Sequence, residues 1–465
     1  MRLVALWLIL FAAYAATLGV PARPGLDYAG SEPHHLLAAE SIVSDHDVDL
    51  RDDYADRAYA SWYPRELKTD GREIGGRLVE PHGIGFAALI APAYALGGAR
   101  AVQAEMAMLL ALAFVFAALL ARRLVPEPWA TTGVALAGLS PPALAASTTI
   151  APGVAAAAAL TGAAVCALAV RERPRVRYVG CGALLLAVLP WLGWSFAIPG
   201  LVVAYALVTW TMRERRRLAA LIAGEALAGS LLFYATLNDR FYGGITPRSA
   251  GAGDEPSFPL GYAARIPRLA SLWLDRDFGL LRWAPVLGLV FFAAWLLYRS
   301  RRDQLARVAP ARRETEAAAK LALGILGAQV AVTAFAGMSP LEGAAFPGVA
   351  LVAALPAAGA LTSWGLRHVP RPLAGVLAAV TLGTGAWVVI AGRDGHIGGW
   401  LDVRSDAPWG PLVNGFPHFD GAPVWPALAC ALLLAGLAAL ALRERRAAGE
   451  WRRSVAAART SRALH

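Results

Sequence analysis

The sequence predicts an all-α, polytopic integral membrane protein, and three observations carry that prediction. Of the 465 residues, 57% are apolar and 16% are charged, against roughly 25% charged residues in an ordinary soluble domain. Uncharged runs such as Ala151 to Val170 recur along the chain, each long enough to cross a hydrocarbon core of about 30 Å as a helix. The formal net charge of +10 is gathered into short arginine clusters between those runs. That is the pattern of a positive-inside topology rather than of a nucleic-acid surface, so the expected partners include membrane lipids and no nucleic acid. Disordered, collagen-like and coiled-coil classes are excluded by the same composition. Cys166, Cys181 and Cys430 all sit inside apolar runs and offer no disulfide framework. Lys68 and Lys320 are the only lysines, and Ala, Gly and Pro abound, as in chains from GC-rich bacterial genomes; the expected location is a bacterial plasma membrane.

Taken in order, the first element is Leu3 to Val20, an apolar run behind Arg2 that reads as a signal anchor. Small residues at Ala15, Ala16 and Ala22 leave a cleaved signal peptide as the alternative, but the run is longer than an h-region of roughly 7–15 residues. Further spans are expected at Ala104 to Ala121, Trp129 to Ala146, Ala151 to Val170, Tyr178 to Trp194, Phe196 to Trp210, Leu218 to Leu237, Trp283 to Tyr298, Leu321 to Met338, Phe346 to Trp364, Leu373 to Ile390 and Trp425 to Leu442. With the first this makes twelve. Alternate crossings then place every arginine cluster, at Arg122-Arg123, Arg171 to Arg177, Arg213 to Arg217, Arg299 to Arg313 and Arg443 to Arg453, in the cytoplasm together with both termini. Gly83 to Gly98, interrupted by Pro92, is expected to be re-entrant or interfacial. If it crosses, the count becomes thirteen and a cluster falls on the wrong side. Residues 1–442 therefore form one transmembrane domain of about 12 to 13 helices with exported loops 21–82, 238–282 and 391–424. Residues 443–465 are a basic cytoplasmic tail, either a helix on the anionic inner leaflet or a frayed end.

The loop 21–82 inverts the charge balance, with 13 acidic residues against 7 basic ones and four of the eight histidines. Glu32 stands at a helix start beside the membrane surface, where a general base for an amphiphilic substrate would sit. Ser31 as N-cap, with Glu32 and Pro33 in the first turn, is the structural alternative. Asp45, Asp47 and Asp49 alternate, and Asp52 and Asp53 follow. Such oxygen ligands allow a divalent cation without demanding one, and a solvated acidic loop is the alternative. His82 returns the chain to the membrane face and is a candidate for phosphate or metal contact. Arg276 and Arg282, with Arg265 and Arg268 upstream, suit phosphate oxygens at the bilayer surface or serve as snorkelling anchors. Glu225 lies mid-span and is expected to face the bundle interior.

An ordered set of short markers runs through most of the chain: Ser31-Glu32-Pro33-His34-His35-Leu36-Leu37, Asp47-Val48-Asp49-Leu50, His82-Gly83 leading to Ala91-Pro92-Ala93-Tyr94-Ala95-Leu96-Gly97-Gly98, Leu189-Pro190-Trp191, Asp275-Arg276-Asp277-Phe278-Gly279-Leu280-Leu281 and Ser405-Asp406-Ala407-Pro408-Trp409-Gly410. In these the chain resembles bacterial GT-C superfamily glycosyltransferases, the multi-pass, mannosyltransferase-like enzymes that use polyprenyl-phosphate sugars. The resemblance implies a catalytic acid in the first exported loop, here Glu32 with Asp27 in reserve. It implies a substrate site drawn from His34, His82, Arg268, Arg276 and Arg282. The sequence departs from the pattern at Ser31, where relatives carry the Asp of an Asp-Glu pair. It departs again at Ile150-Ala151-Pro152-Gly153, which lacks the acid of a Tyr-Pro-Glu run, and at Val349, where an Arg is common. The implied function is hexosyl or pentosyl transfer from a polyprenyl-phosphate-linked donor to a cell-envelope lipid or glycan acceptor at the exterior face. A noncatalytic scaffold of the same fold, binding lipid-linked intermediates or a partner transferase, is the alternative. A transporter using Glu225 would predict inverted repeats, and none is evident.

Overall fold

The computed structural model describes residues 1–214, 216–251, 262, 265–302, 310–336, 346–401 and 408–419. Its helices are α1 (Arg2–Ala15), α2 (Glu32–Ser44), α3 (Arg51–Ala55), α4 (Ile84–Ala121), α5 (Trp129–Gly138), α6 (Pro141–Ala146), α7 (Pro152–Glu172), α8 (Val176–Leu192) and α9 (Trp194–Arg213). They continue as α10 (Arg217–Tyr242), α11 (Arg268–Leu274), α12 (Leu280–Trp283), α13 (Leu289–Arg302), α14 (Pro310–Phe335), α15 (Leu355–His368) and α16 (Arg371–Arg393). One antiparallel hairpin, β1 (Arg72–Ile74) with β2 (Arg77–Val79), is the only sheet among the described residues.

Among the described residues seven helices are long and apolar enough to cross a membrane, and three shorter apolar ones, Arg2–Ala15, Val176–Leu192 and Pro285–Ser300, accompany them. Two expected spans are corrected. Trp129 to Ala146 breaks into α5 and α6, because Pro141 and Pro142 cannot continue a helix and instead begin a new one at Ser140. The first helix ends at Ala15 rather than running to Val20. The expected last span, Trp425 to Leu442, the tail 443–465 and the Ser405-Asp406 marker lie outside the described residues.

Burial orders the bundle. The apolar stretch of α7 is 83% buried and that of Val349–His368 is 94% buried, whereas α10 and α16 are 17% and 22% buried at the periphery. Alanines occupy most of the buried positions of α7, and small side chains let α4, α8 and α9 approach its backbone closely. The placement of α10 at the edge corrects the expectation for Glu225, which is exposed on its outer face.

Contacts between distant segments sort onto two faces. On one face Thr17 meets Ser147 (3.2 Å), Arg393 donates to the carbonyl of Ala16 (2.8 Å), Arg72 donates to the carbonyl of Ser249, and the N–H of Arg276 donates to Pro417 (2.8 Å). On the other, Arg123 pairs with Glu172 (2.7 Å) and Thr315 donates to the carbonyl of Arg123 (3.0 Å). Each pair joins segments that alternate crossing puts on the same side.

The same sorting places Gly83 to Gly98. Its first turn packs Gly85 so closely on Trp191 that a Cβ there would overlap the Trp191 carbonyl. At its far end Arg100 pairs with Asp27 at 3.0 Å. Both ends therefore meet the face that carries the first loop. The helix breaks at Gly97 and Gly98, and Gly98 adopts φ 61°, ψ −157°, a conformation open essentially to glycine alone. Residues 84–96 span only about 20 Å as a helix, so the break divides α4 into a short piece against that face and a longer piece after it.

Candidate functional site

Helix α2 is the floor of the first-loop face. Pro33 fixes its first turn, and Glu32, His34, His35, Leu36, Leu37, Ala39 and Ser41 are all buried, mostly against α4. Ser31 stands at the N-cap in a helical conformation and its side chain makes no capping bond, which corrects the capping alternative. Glu32 instead bonds backbone outside α2. One of its oxygens accepts the N–H of Ala29 at 2.9 Å and the other accepts the N–H of Ile150 at 2.8 Å. Burial without a counter-ion outweighs these two bonds and pushes its pKa up to about 7. Asp27, the reserve acid, is exposed and held in the surface pair with Arg100.

Beside Glu32 on α2, His34 turns into a second polar group that sequence reasoning only half found. Its Nδ1 lies 2.9 Å from Glu80 Oε1 and 3.1 Å from the Tyr54 hydroxyl, and Tyr54 also donates to Glu80. Asp70 Oδ2 lies 3.5 Å from His34 Nε2 and 3.8 Å from His82 Nε2. The rings of His34 and His82 stack at 5.1 Å, and His35 packs edge-on to both His82 (5.1 Å) and Phe86 (4.9 Å). Burial works against the His34 cation, but the Glu80 carboxylate more than offsets it and raises the pKa of His34. Burial likewise opposes the Glu80 charge, and His34 and Tyr54 reverse the balance, leaving the carboxyl below its usual range. His35 has no carboxylate; burial, then His82 and His34, hold it well below the usual imidazole pKa.

The aspartate run behaves as a turn. Asp47 accepts from the N–H of Asp49 at 3.0 Å, while Asp49 pairs with Arg51 at 2.8 Å and accepts the N–H of Leu78 at 2.9 Å. It thereby ties the loop to the hairpin, a use of side-chain oxygens common to acidic turns.

A small, partly open cleft lies next to His82. Its walls are the entry to α4, the α8–α9 junction with Pro190, Trp191 and Trp194, the last turns of α10 with Tyr234 and Asn238, and Arg248. Trp191 packs edge-on to Tyr234 at 5.4 Å. Asn238 is buried, and its Nδ2 has no hydrogen-bond partner among the described residues. His82 belongs both to this cleft and to the cluster around Glu80. The marker Leu189-Pro190-Trp191 thus supplies a wall of the cleft. Tyr234, Asn238 and Arg248 carried no sequence signal, since nothing local distinguishes them from any other polar residue near a span end.

The expected arginines sit elsewhere. Arg282 is buried, donates to the carbonyl of Arg276 at 2.7 Å and lies over the Trp283 ring at 4.6 Å. Arg276 belongs to the same turn, which Asp275 organises by accepting the N–H groups of Asp277 (2.8 Å), Phe278 (2.9 Å) and Phe419 (3.0 Å). Arg268 begins α11 just upstream. Of the substrate residues expected from sequence, only His82 lines the cleft, and His34 reaches it through His82.

No protein-family model matches the chain, and no curated protein matches it. Among solved structures it is similar to ArnT from Cupriavidus metallidurans in the apo state, with a TM-score of 0.47, 17% identity, and coverage of 80% of this chain and 61% of that one. It is also similar to the same protein bound to undecaprenyl phosphate, with a TM-score of 0.45, 14% identity, and coverage of 84% and 63%. The chain spans about three fifths of the length of those structures. Seven helices of spanning length on an all-helical scaffold decide the class. The chain is a polytopic membrane protein.

Proposed function

We propose that the chain is a GT-C-like glycosyltransferase of the bacterial plasma membrane, moving a sugar from a polyprenyl-phosphate donor onto a cell-envelope lipid or glycan. The cleft beside His82 carries this reading. Its two tryptophans offer flat apolar faces to a sugar ring. Asn238 adds a buried amide beside Tyr234, and Arg248 adds a guanidinium suited to phosphate. These residues gather near the ends of apolar helices, where a lipid-linked head group would lie, and the arginine distribution supports an exterior position for that face. In this proposal Glu32 is the base, Asp27 is its reserve, and Arg268, Arg276 and Arg282 shape the rim around the 275–283 turn.

Two observations favour a second reading, a scaffold that binds lipid-linked intermediates without transfer. Ser31 replaces the expected aspartate, and Glu32 spends both oxygens on backbone N–H groups. Saturable binding of a radiolabelled polyprenyl-phosphate sugar to the full chain in lipid separates the site from its chemistry. The site reading expects Trp191→Ala and Asn238→Ala to weaken binding at least tenfold. Binding unchanged in both variants would exclude the cleft as the donor site.

A further inference from the structure

We propose that His34, Glu80 and His82 form a binding site for a divalent transition metal of the zinc class. One ligand atom from each of the three lies within 4.8 Å of the others, so small side-chain movements bring all three onto one ion. Two imidazoles and one carboxylate are a donor set that suits zinc, with cobalt as its spectroscopic stand-in. The alternating aspartates of the same loop, which sequence reading put forward for a cation, are not among these residues.

The three ligands are fixed by different elements. His34 sits in the first turn of α2, Glu80 directly follows β2, and His82 precedes α4. Tyr54 and Thr69 (3.4 Å) both hydrogen-bond Glu80 Oε1, the kind of outer contact that orients a metal-binding carboxylate. His35 packs edge-on against the His82 ring and is itself packed by Phe86. Asp70 offers a fourth oxygen from the open side, close to Nε2 of both histidines.

A plain ion pair between His34 and Glu80 accounts for only part of this. It uses Glu80 Oε1 and leaves Glu80 Oε2 buried with no hydrogen-bond partner among the described residues, while His82 Nε2 faces Asp70 at 3.8 Å, beyond hydrogen-bond length. Glu80 is 6% exposed, and an unsatisfied polar atom at that depth is costly unless a ligand meets it. A cation held by the three residues would give the Glu80 carboxylate the partner it lacks.

The group at Asp275, Asp277 and His418 has similar spacing but a different logic. Both oxygens of Asp275 already accept backbone N–H groups, so that group serves as an internal control.

The test uses full-length protein in lipid nanodiscs, stripped with a chelator and titrated with Zn²⁺ and Co²⁺ alone. The proposal expects one metal per chain and a tetrahedral Co²⁺ absorption band that Zn²⁺ displaces. It also expects affinity to fall more than about 100-fold in Glu80→Gln and in His82→Asn, with Asp277→Asn unchanged. His82 is half-buried, so His82→Asn keeps the proposal testable if Glu80→Gln misfolds. No stoichiometric binding, or binding that survives both ligand variants, would overturn it. The readout is metal content and spectrum, so it stands apart from the transferase reading.

Discussion

Glu32 accepts the N–H of Ile150 at 2.8 Å across 118 residues of sequence, and this bond ties the first loop to the entry of α7, whose apolar stretch is 83% buried. The carboxylate that sequence patterning proposes as a base is also the clasp between two layers of the protein.

Removing that clasp has a graded cost. Glu32→Ala leaves the N–H groups of Ala29 and Ile150 without acceptors and is expected to destabilise by roughly 2–5 kcal/mol. Glu32→Gln keeps one acceptor oxygen and is expected to cost about half as much. Thermal unfolding of the two variants in the same detergent checks the order Ala, Gln, wild type.

The reserve acid behaves in the opposite way. Asp27 and Arg100 are both exposed, and exposed pairs contribute less than about 1 kcal/mol. Asp27→Ala is therefore expected to leave the unfolding temperature nearly unchanged. A transfer defect in Asp27→Ala would then report chemistry rather than folding.

Asp53 gives the first loop a pH dependence. It is 3% exposed and burial pushes its carboxyl from 3.8 up to about 7. The folded loop holds this proton more tightly than the unfolded one, so between about pH 4 and pH 7 folding takes up a proton. Stability contributed by the protonated form is then lost as pH rises through that window, by up to roughly 4 kcal/mol. Asp53→Asn is expected to flatten the profile and to be the more stable protein at pH 8. Hydrogen exchange of residues 45–60 against pH measures the difference.

Gly98 tests the break in α4. Its backbone angles exclude a Cβ, so Gly98→Ala is expected to cost about 1–3 kcal/mol. It should also displace Arg100 from Asp27, which a cysteine cross-link between positions 27 and 100 would register as a loss of yield.

Much of the fold was legible because hydropathy and arginine placement are additive along the chain. The runs at Ala151 to Val170 and Leu373 to Ile390 became α7 and α16 almost residue for residue. Trp129 to Ala146 misled because its mean composition hid Pro141-Pro142, a local backbone constraint that averaging removes. The site was less legible. Glu32, His34 and His82 stood out by charge in an apolar chain, yet Glu80, Tyr54 and Asp70 gain meaning only when the hairpin folds back onto α2. Asn238 and Arg248 reach the cleft from a third segment. Arg282 shows the converse: in a motif dense in charge it donates to the carbonyl of Arg276, lies over the Trp283 ring and pairs with Asp277 at 4.0 Å.

The most direct test of the central claim is sugar transfer itself. Purified chain in lipid is incubated with radiolabelled polyprenyl-phosphate sugars and an envelope-lipid extract, comparing wild type with Asn238→Ala and Glu32→Gln. The account predicts transfer by wild type, a drop of at least tenfold in Asn238→Ala, and loss of turnover in Glu32→Gln with donor binding retained. Wild-type protein that neither binds any such donor saturably nor transfers its sugar would contradict it.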